Sequence, residues 1–140
     1  MMTHYLKQII IYSIISLAVA SCAKGPGPND MIKLSQDEIF FPAEGGTIVI
    51  ESNFEVFFDH IFVMEEDGNL RNPLTNGSGF PYGTTSFECN WIKASTSSQN
   101  SPQITFEAKA NDEERERNLF VEVCAVETIK WITIHQAGAE

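Results

Sequence analysis

From residue 32 onward every strong signal in the chain is strand-like: apolar and polar positions alternate in short runs broken by turn residues. Ile32 and Leu34 alternate ahead of Ser35-Gln36-Asp37. The run Ile39-Phe40-Phe41 stops at Pro42, which has no N–H for a ladder and so marks a strand end or an edge. Gly45-Gly46 reads as a turn before Thr47 to Ser52, a β-branched strand with Ile48 and Ile50 on one face. Phe54, Val56 and Phe58 keep one phase, whereas Ile61 and Val63 fall in the other. A residue must be inserted between the two sets, and a bulge or bend is expected at Asp59-His60.

Asp67-Gly68 is a hairpin signal, and Arg71 to Thr85 (RNPLTNGSGFPYGTT) reads as one long loop. Cys89 to Ala94 is the next expected strand, followed by a polar connection from Ser95 to Pro102. Ile104, Phe106 and Ala108 alternate, Asn111 to Glu116 is a charged turn, and Leu119 to Val126 and Trp131 to Gln136 close the domain. A helix through Asn111 to Arg117 would be charged on every side and carry no apolar stripe, which argues against it. Seven or more short strands separated by turns predict an all-β sandwich in a single domain, with a small open barrel as the alternative.

Ahead of these strands stands a different pattern. Lys7 is followed by an apolar run from Ile9 to Ala20 and then Val19-Ala20-Ser21-Cys22. The run falls short of the roughly 20 residues a spanning helix needs, and it reads as a secretory signal peptide. Its end resembles a bacterial lipobox. That resemblance implies removal of residues 1–21 and a diacylglycerol thioether on Cys22, with residues 22–31 as a lipidated linker rich in Gly and Pro. No Asp follows Cys22 directly, which removes one inner-membrane retention signal, so an outer-membrane address is expected with the leaflet left open.

What remains is about 120 residues, enough for one core. The formal net charge is −10, and the leader's only charged residue is Lys7. Such acidity argues against nucleic acid as a partner and against a polybasic grip on lipid headgroups, leaving the acyl chains as the anchor. With Cys22 acylated, Cys89 and Cys124 remain in an oxidising compartment. A disulfide between them would stabilise the fold by about 4 kcal/mol; the alternative is two unpaired thiols on different sheets. Cys124 shares its face with Phe120 and Glu122, opposite Leu119, Val121 and Val123, and that outward placement weighs against the bond.

Candidate ligand contacts come from aromatics in polar surroundings. Phe80-Pro81-Tyr82, flanked by Gly79 and Gly83, offers a stacking platform for the apolar face of a sugar ring, with Arg71, Asn72 and Asn76 as hydrogen-bonding groups. The alternative is that Phe80 and Tyr82 fold back to cap the sandwich. Trp131 alternates with Thr133 and His135, opposite Ile132 and Ile134, and is expected to be exposed or half-buried. Glu65 to Asn69 lacks the alternating oxygen ligands of a calcium loop, and His4, His60 and His135 are isolated from any ligand partner at metal-site spacing. No nucleophile has a recognisable catalytic setting. Neither metal, cofactor nor enzymatic activity is expected.

The closing third carries a recognisable series: Asn111, a charged turn, Arg117, the alternating Leu119-Val121-Val123, a second turn, and Ile132-Thr133-Ile134-His135-Gln136-Ala137-Gly138. Leu34-Ser35, Phe40, Gly45-Gly46, Ile48, Ile50, Ser52-Asn53 and Trp91-Ile92 agree in order with the same pattern. The series resembles the BACON domain, an immunoglobulin-like module of secreted Bacteroidetes proteins, over about residues 32–140. As residues, Asn111 suits a turn, Arg117 can lay its stem along apolar surface or reach a carbonyl, and Gln136 offers donor and acceptor where the last strand ends, so all three are expected to be structural. The resemblance implies a core position for Trp91. It also implies a non-catalytic binding or accessory function, with glycans or mucin as the ligand class; a structural spacer or a surface-protein partner is the alternative. Two features depart from the family: Phe54 stands where a tryptophan is usual, and the stretch at about 57–88 is longer.

Overall fold

The computed structural model describes residues 32–74, 79–98, 101–125 and 127–140. The leader, the linker with Cys22, and Asn76 lie outside the described residues. Among the described residues there are nine strands and no helix: β1 (Glu38–Phe41), β2 (Gly46–Glu51), β3 (Phe57–Met64), β4 (Leu70–Arg71), β5 (Ser86–Cys89), β6 (Ile92–Ser97), β7 (Gln103–Ala108), β8 (Arg117–Ala125) and β9 (Thr128–Gln136). They form a five-stranded sheet in the order β1-β9-β8-β3-β4 and a four-stranded sheet in the order β2-β7-β6-β5. β1 runs parallel to β9, and the other named pairs are antiparallel.

Period-two alternation sends one side of each strand into a common core, as in a β-sandwich. Leu119, Val121 and Val123 of β8 and Ile132 and Ile134 of β9 are fully buried, and they meet Ile50, Ile92, Ala94, Ile104 and Phe106 of the other sheet. Phe58 of β3 packs edge-to-face on Phe87 of β5 at 4.8 Å between ring centroids, joining the two sheets directly. Removing each such large side chain from water contributes roughly 1.5–3 kcal/mol.

Three elements differ from the sequence expectation. Cys89–Ala94 is not one strand: it straddles a tight hairpin at Asn90-Trp91, where Asn90 takes φ 50°, a conformation Asn tolerates better than most residues. The strand after that turn continues to Ser97, so the polar connection begins later than Ser95. Phe54 lies outside any strand and is exposed, because the alternation that includes it is carried by a turn ahead of β3. The possible disulfide is likewise corrected. Cys89 stands on β5 and Cys124 on β8, in different sheets, and both are free thiols.

The charged segment after β7 is a turn built on Asn111. Its Nδ2 donates to Arg115 O at 2.8 Å and to Ala137 O at 3.0 Å, while its Oδ1 accepts from the Glu113 N–H. Arg117 lays its guanidinium 4.9 Å over the ring of buried Trp91. Gln136, completely buried, donates from Nε2 to Lys109 O at 2.7 Å. These side chains satisfy backbone carbonyls where strand pairing stops, which a buried chain end requires.

Candidate functional site

The outer face of the five-stranded sheet carries the densest chemistry. It starts from the β3 bulge. Phe58 faces Val123, but the next paired residue is His60, opposite Glu122, so Asp59 is the extra residue. Phe58 and Ile61 both point into the core, and the insertion turns Asp59 and His60 together toward the outer face. His60 Nδ1 lies 3.1 Å from Asp59 Oδ2 and 3.1 Å from Glu122 Oε1. Nδ1 carries at most one proton, so its N–H cannot fully satisfy both carboxylates.

Glu122 belongs to the central strand β8 and is only 7% exposed although it points away from the core. Burial pushes its carboxyl above the usual glutamate range, and the hydrogen bond with Asp59 adds to the rise, with His60 opposing it. Cys124 is two residues along the same strand. Burial raises its thiol, reinforced by the negative charges of Asp59 and Glu122, which makes it a poor nucleophile. Cys89 is raised by burial alone.

Aromatic side chains continue the face. The His60 ring lies parallel to that of Phe62 at 6.2 Å. Phe62 opposes Phe120 across β3 and β8 and leans on Trp131 at 5.8 Å. Trp131 in turn pairs with Glu122 across β8 and β9. Phe62, Leu70, Phe120 and Trp131 line a depression of about 410 Å³. Trp131 is 42% exposed at its rim. A larger open depression of about 630 Å³ lies beside Asn111 and Gly138. It is lined mainly by Ala, Pro, Gly and acidic residues and offers no aromatic platform.

The loop between β4 and β5 is tied to the bulge. The Phe80 N–H donates to Asp59 O at 2.6 Å, and the Phe58 N–H donates to Thr84 O at 2.9 Å. Gly79 passes so close that a Cβ there would stand 2.5 Å from Asp59 O and 2.8 Å from His60 Nε2.

The sequence candidates therefore separate. Phe80 is half-buried and stacks on Phe87 at 5.1 Å, packing against the core rather than offering a face to a ligand. Tyr82 is 87% exposed, with its ring 5.9 Å from Phe57. Arg71 is exposed and pairs with Asp67 at 3.8 Å; Leu70, its neighbour in β4, lines the depression. Asn72 Oδ1 accepts from the Leu74 N–H at 2.9 Å. Trp131 alone of these lies in the aromatic depression. The structure brings to it Asp59, His60, Glu122, Phe62, Leu70 and Phe120, none of which the sequence reading placed in a site. The phase break at Asp59-His60 was the one visible signal for them.

No protein-family model matches the chain. No curated protein matches it either. Among solved structures, the NMR structure of a protein from Bacteroides thetaiotaomicron has the same fold. It superposes with a TM-score of 0.61 at 15% sequence identity, covering 84% of this chain and 94% of that one. At that identity the likeness speaks to the fold alone.

Proposed function

We propose that the protein is a non-catalytic binding module of immunoglobulin-like, BACON type, held to the outer membrane by lipid on Cys22, and that it takes carbohydrate on the outer face of its five-stranded sheet. One observation carries the reading. The half-exposed indole of Trp131 rises beside a buried carboxylate and an imidazole, at the mouth of a depression walled by Phe62, Phe120 and Leu70. The apolar face of a pyranose packs on such a ring while its hydroxyls need both donors and acceptors at the edge, and His60, Asp59 and Glu122 supply them. A purely apolar ligand would gain nothing from that polar border.

A protein partner is the second reading, favoured by a different observation. Apolar side chains continue beyond the depression on the same face, with Phe40 65% and Ile129 47% exposed. Contiguous patches of that kind mark interaction surfaces.

Screening the detergent-purified protein against glycans and mucin, with Trp131→Ala and Tyr82→Ala beside it, separates the two. Binding lost in Trp131→Ala with an unchanged far-UV spectrum supports carbohydrate on this face. Failure to bind any glycan removes that reading in favour of the protein partner.

A further inference from the structure

We propose that Asp59, His60 and Glu122 form a binding site for a divalent transition-metal cation, and that Zn²⁺ is the ion their donor set fits. Their candidate ligand atoms lie within 4.8 Å of one another. In a tetrahedral zinc site, with bonds of about 2.0–2.1 Å, donor atoms stand about 3.3 Å apart. The two separations from His60 Nδ1, 3.1 Å each, are already at that spacing.

The charge balance at the site points the same way. Every ion pair of Asp59 and Glu122 among the described residues goes to the one imidazole, and no Lys or Arg approaches either carboxylate. The Glu122 side chain is 9% exposed. Burying a carboxylate without a full counter-charge is costly. A single cation bound by one nitrogen and two carboxylates removes the excess negative charge and gives all three groups a partner at once.

The backbone is shaped to bring these groups together. Uninterrupted alternation would send either Asp59 or His60 into the core. The bulge turns both outward against Glu122, and bulges recur where a strand re-aims a side chain toward a site. Asp59 and His60 each have side chains 36% exposed, so the cluster is open on one side. That opening leaves a coordination position for water or for an oxygen of a bound ligand. The imidazole ligand favours Zn²⁺ over Ca²⁺ or Mg²⁺, which take oxygen donors. The inference is independent of the carbohydrate reading, because the metal alone is the probe.

The test is calorimetric titration of untagged, detergent-purified, EDTA-stripped protein with ZnCl₂, CaCl₂ and MgCl₂, using the parent chain and the variants His60→Gln, Glu122→Gln and Cys124→Ser. The expected result is saturation by Zn²⁺ at one ion per chain. Affinity should fall about ten-fold or more in His60→Gln and in Glu122→Gln, with little change in Cys124→Ser. Far-UV spectra of both weakened variants should match the parent, and Zn²⁺ should raise the parent's Tm but not theirs. Three results would overturn the proposal: no saturable Zn²⁺ binding, binding that survives both His60→Gln and Glu122→Gln, or binding lost only with Cys124→Ser. A glycan screen that fails while zinc binds would leave the metal site standing and remove only the carbohydrate reading.

Discussion

Arg117 Nε donates a hydrogen bond to Gln136 Oε1 at 2.9 Å, across the paired ends of β8 and β9. The bond orients the Gln136 amide so that its Nε2 reaches Lys109 O at 2.7 Å and Pro42 O at 3.2 Å. The Arg117 Nη2 donates to Ala110 O at 2.9 Å. Two side chains thus close the seam where both sheets run out of strand partners. Replacing Gln136 by an apolar residue leaves Lys109 O with only the long Arg117 Nη2 contact of 3.5 Å and strips Arg117 Nε of its acceptor, at about 1–3 kcal/mol for each such group, while Pro42 O keeps the Gly45 N–H at 3.0 Å. Gln136→Leu should therefore lower unfolding free energy by about 2–4 kcal/mol in urea titrations. A loss under about 0.5 kcal/mol would mean that water replaces the amide. Arg117→Lys keeps the charge but loses the planar fork, and should fall between the parent and Gln136→Leu.

Gly79 is required by space, whereas Gly68 is favoured by conformation. A methyl at Gly79 meets the Asp59 carbonyl and the His60 ring, while at Gly68 it meets open space but must adopt φ 78°. Gly79→Ala should destabilise by about 1–3 kcal/mol and shift the His60 imidazole resonances. Gly68→Ala should cost about 1 kcal/mol and leave His60 untouched. Equal effects on His60 from both variants would contradict the close approach of the loop to the bulge.

The raised carboxyl of Glu122 makes stability depend on pH in a definite sense. The folded state holds this proton more tightly than the unfolded chain, so its contribution favours folding at low pH and is lost as pH rises through the folded value. Glu122→Gln cannot ionise. In chelator-treated protein it should melt above the parent at about pH 7.5 and show no such gain at about pH 3.5, below the ordinary glutamate value of about 4.3. A variant less stable than the parent at the higher pH would show that attraction to His60 outweighs burial.

The two tryptophans report on opposite environments. Trp91 is buried beneath Arg117, and Trp131 is 42% exposed. Trp131→Phe should leave a blue-shifted emission poorly quenched by acrylamide, and Trp91→Phe a red-shifted emission that is readily quenched. Trp91→Phe should also lower stability by about 1–3 kcal/mol through lost packing, against less than about 1 kcal/mol for Trp131→Phe. A protected emission from Trp131 would mean that its depression is filled in solution.

The amino-acid order by itself determined the all-β class and the inward faces of the long strands. Sheets impose a period of two, and the core needs every second residue of Leu119 to Val123, Ile132 to Ile134 and Ile104 to Phe106 to be apolar. It also marked the bulge, because Phe58 and Ile61 cannot both face inward without an extra residue between them. The hairpin at Asn90-Trp91 was hidden because Cys89 and Ile92 on either side of the turn are apolar and so is Trp91 within it, and local pattern does not distinguish a strand from two strands joined tightly. Only the tertiary structure decided which strands meet. The parallel pairing of β1 with β9 and the meeting of His60 with Glu122, 62 positions away, rest on backbone pairing between distant segments. Alternation says which face a side chain takes; only the order of strands in the sheet says what stands beside it. The trio and the aromatic depression are products of that order, in which β8 lies between β3 and β9 and carries Glu122 and Phe120 to residues from both neighbours.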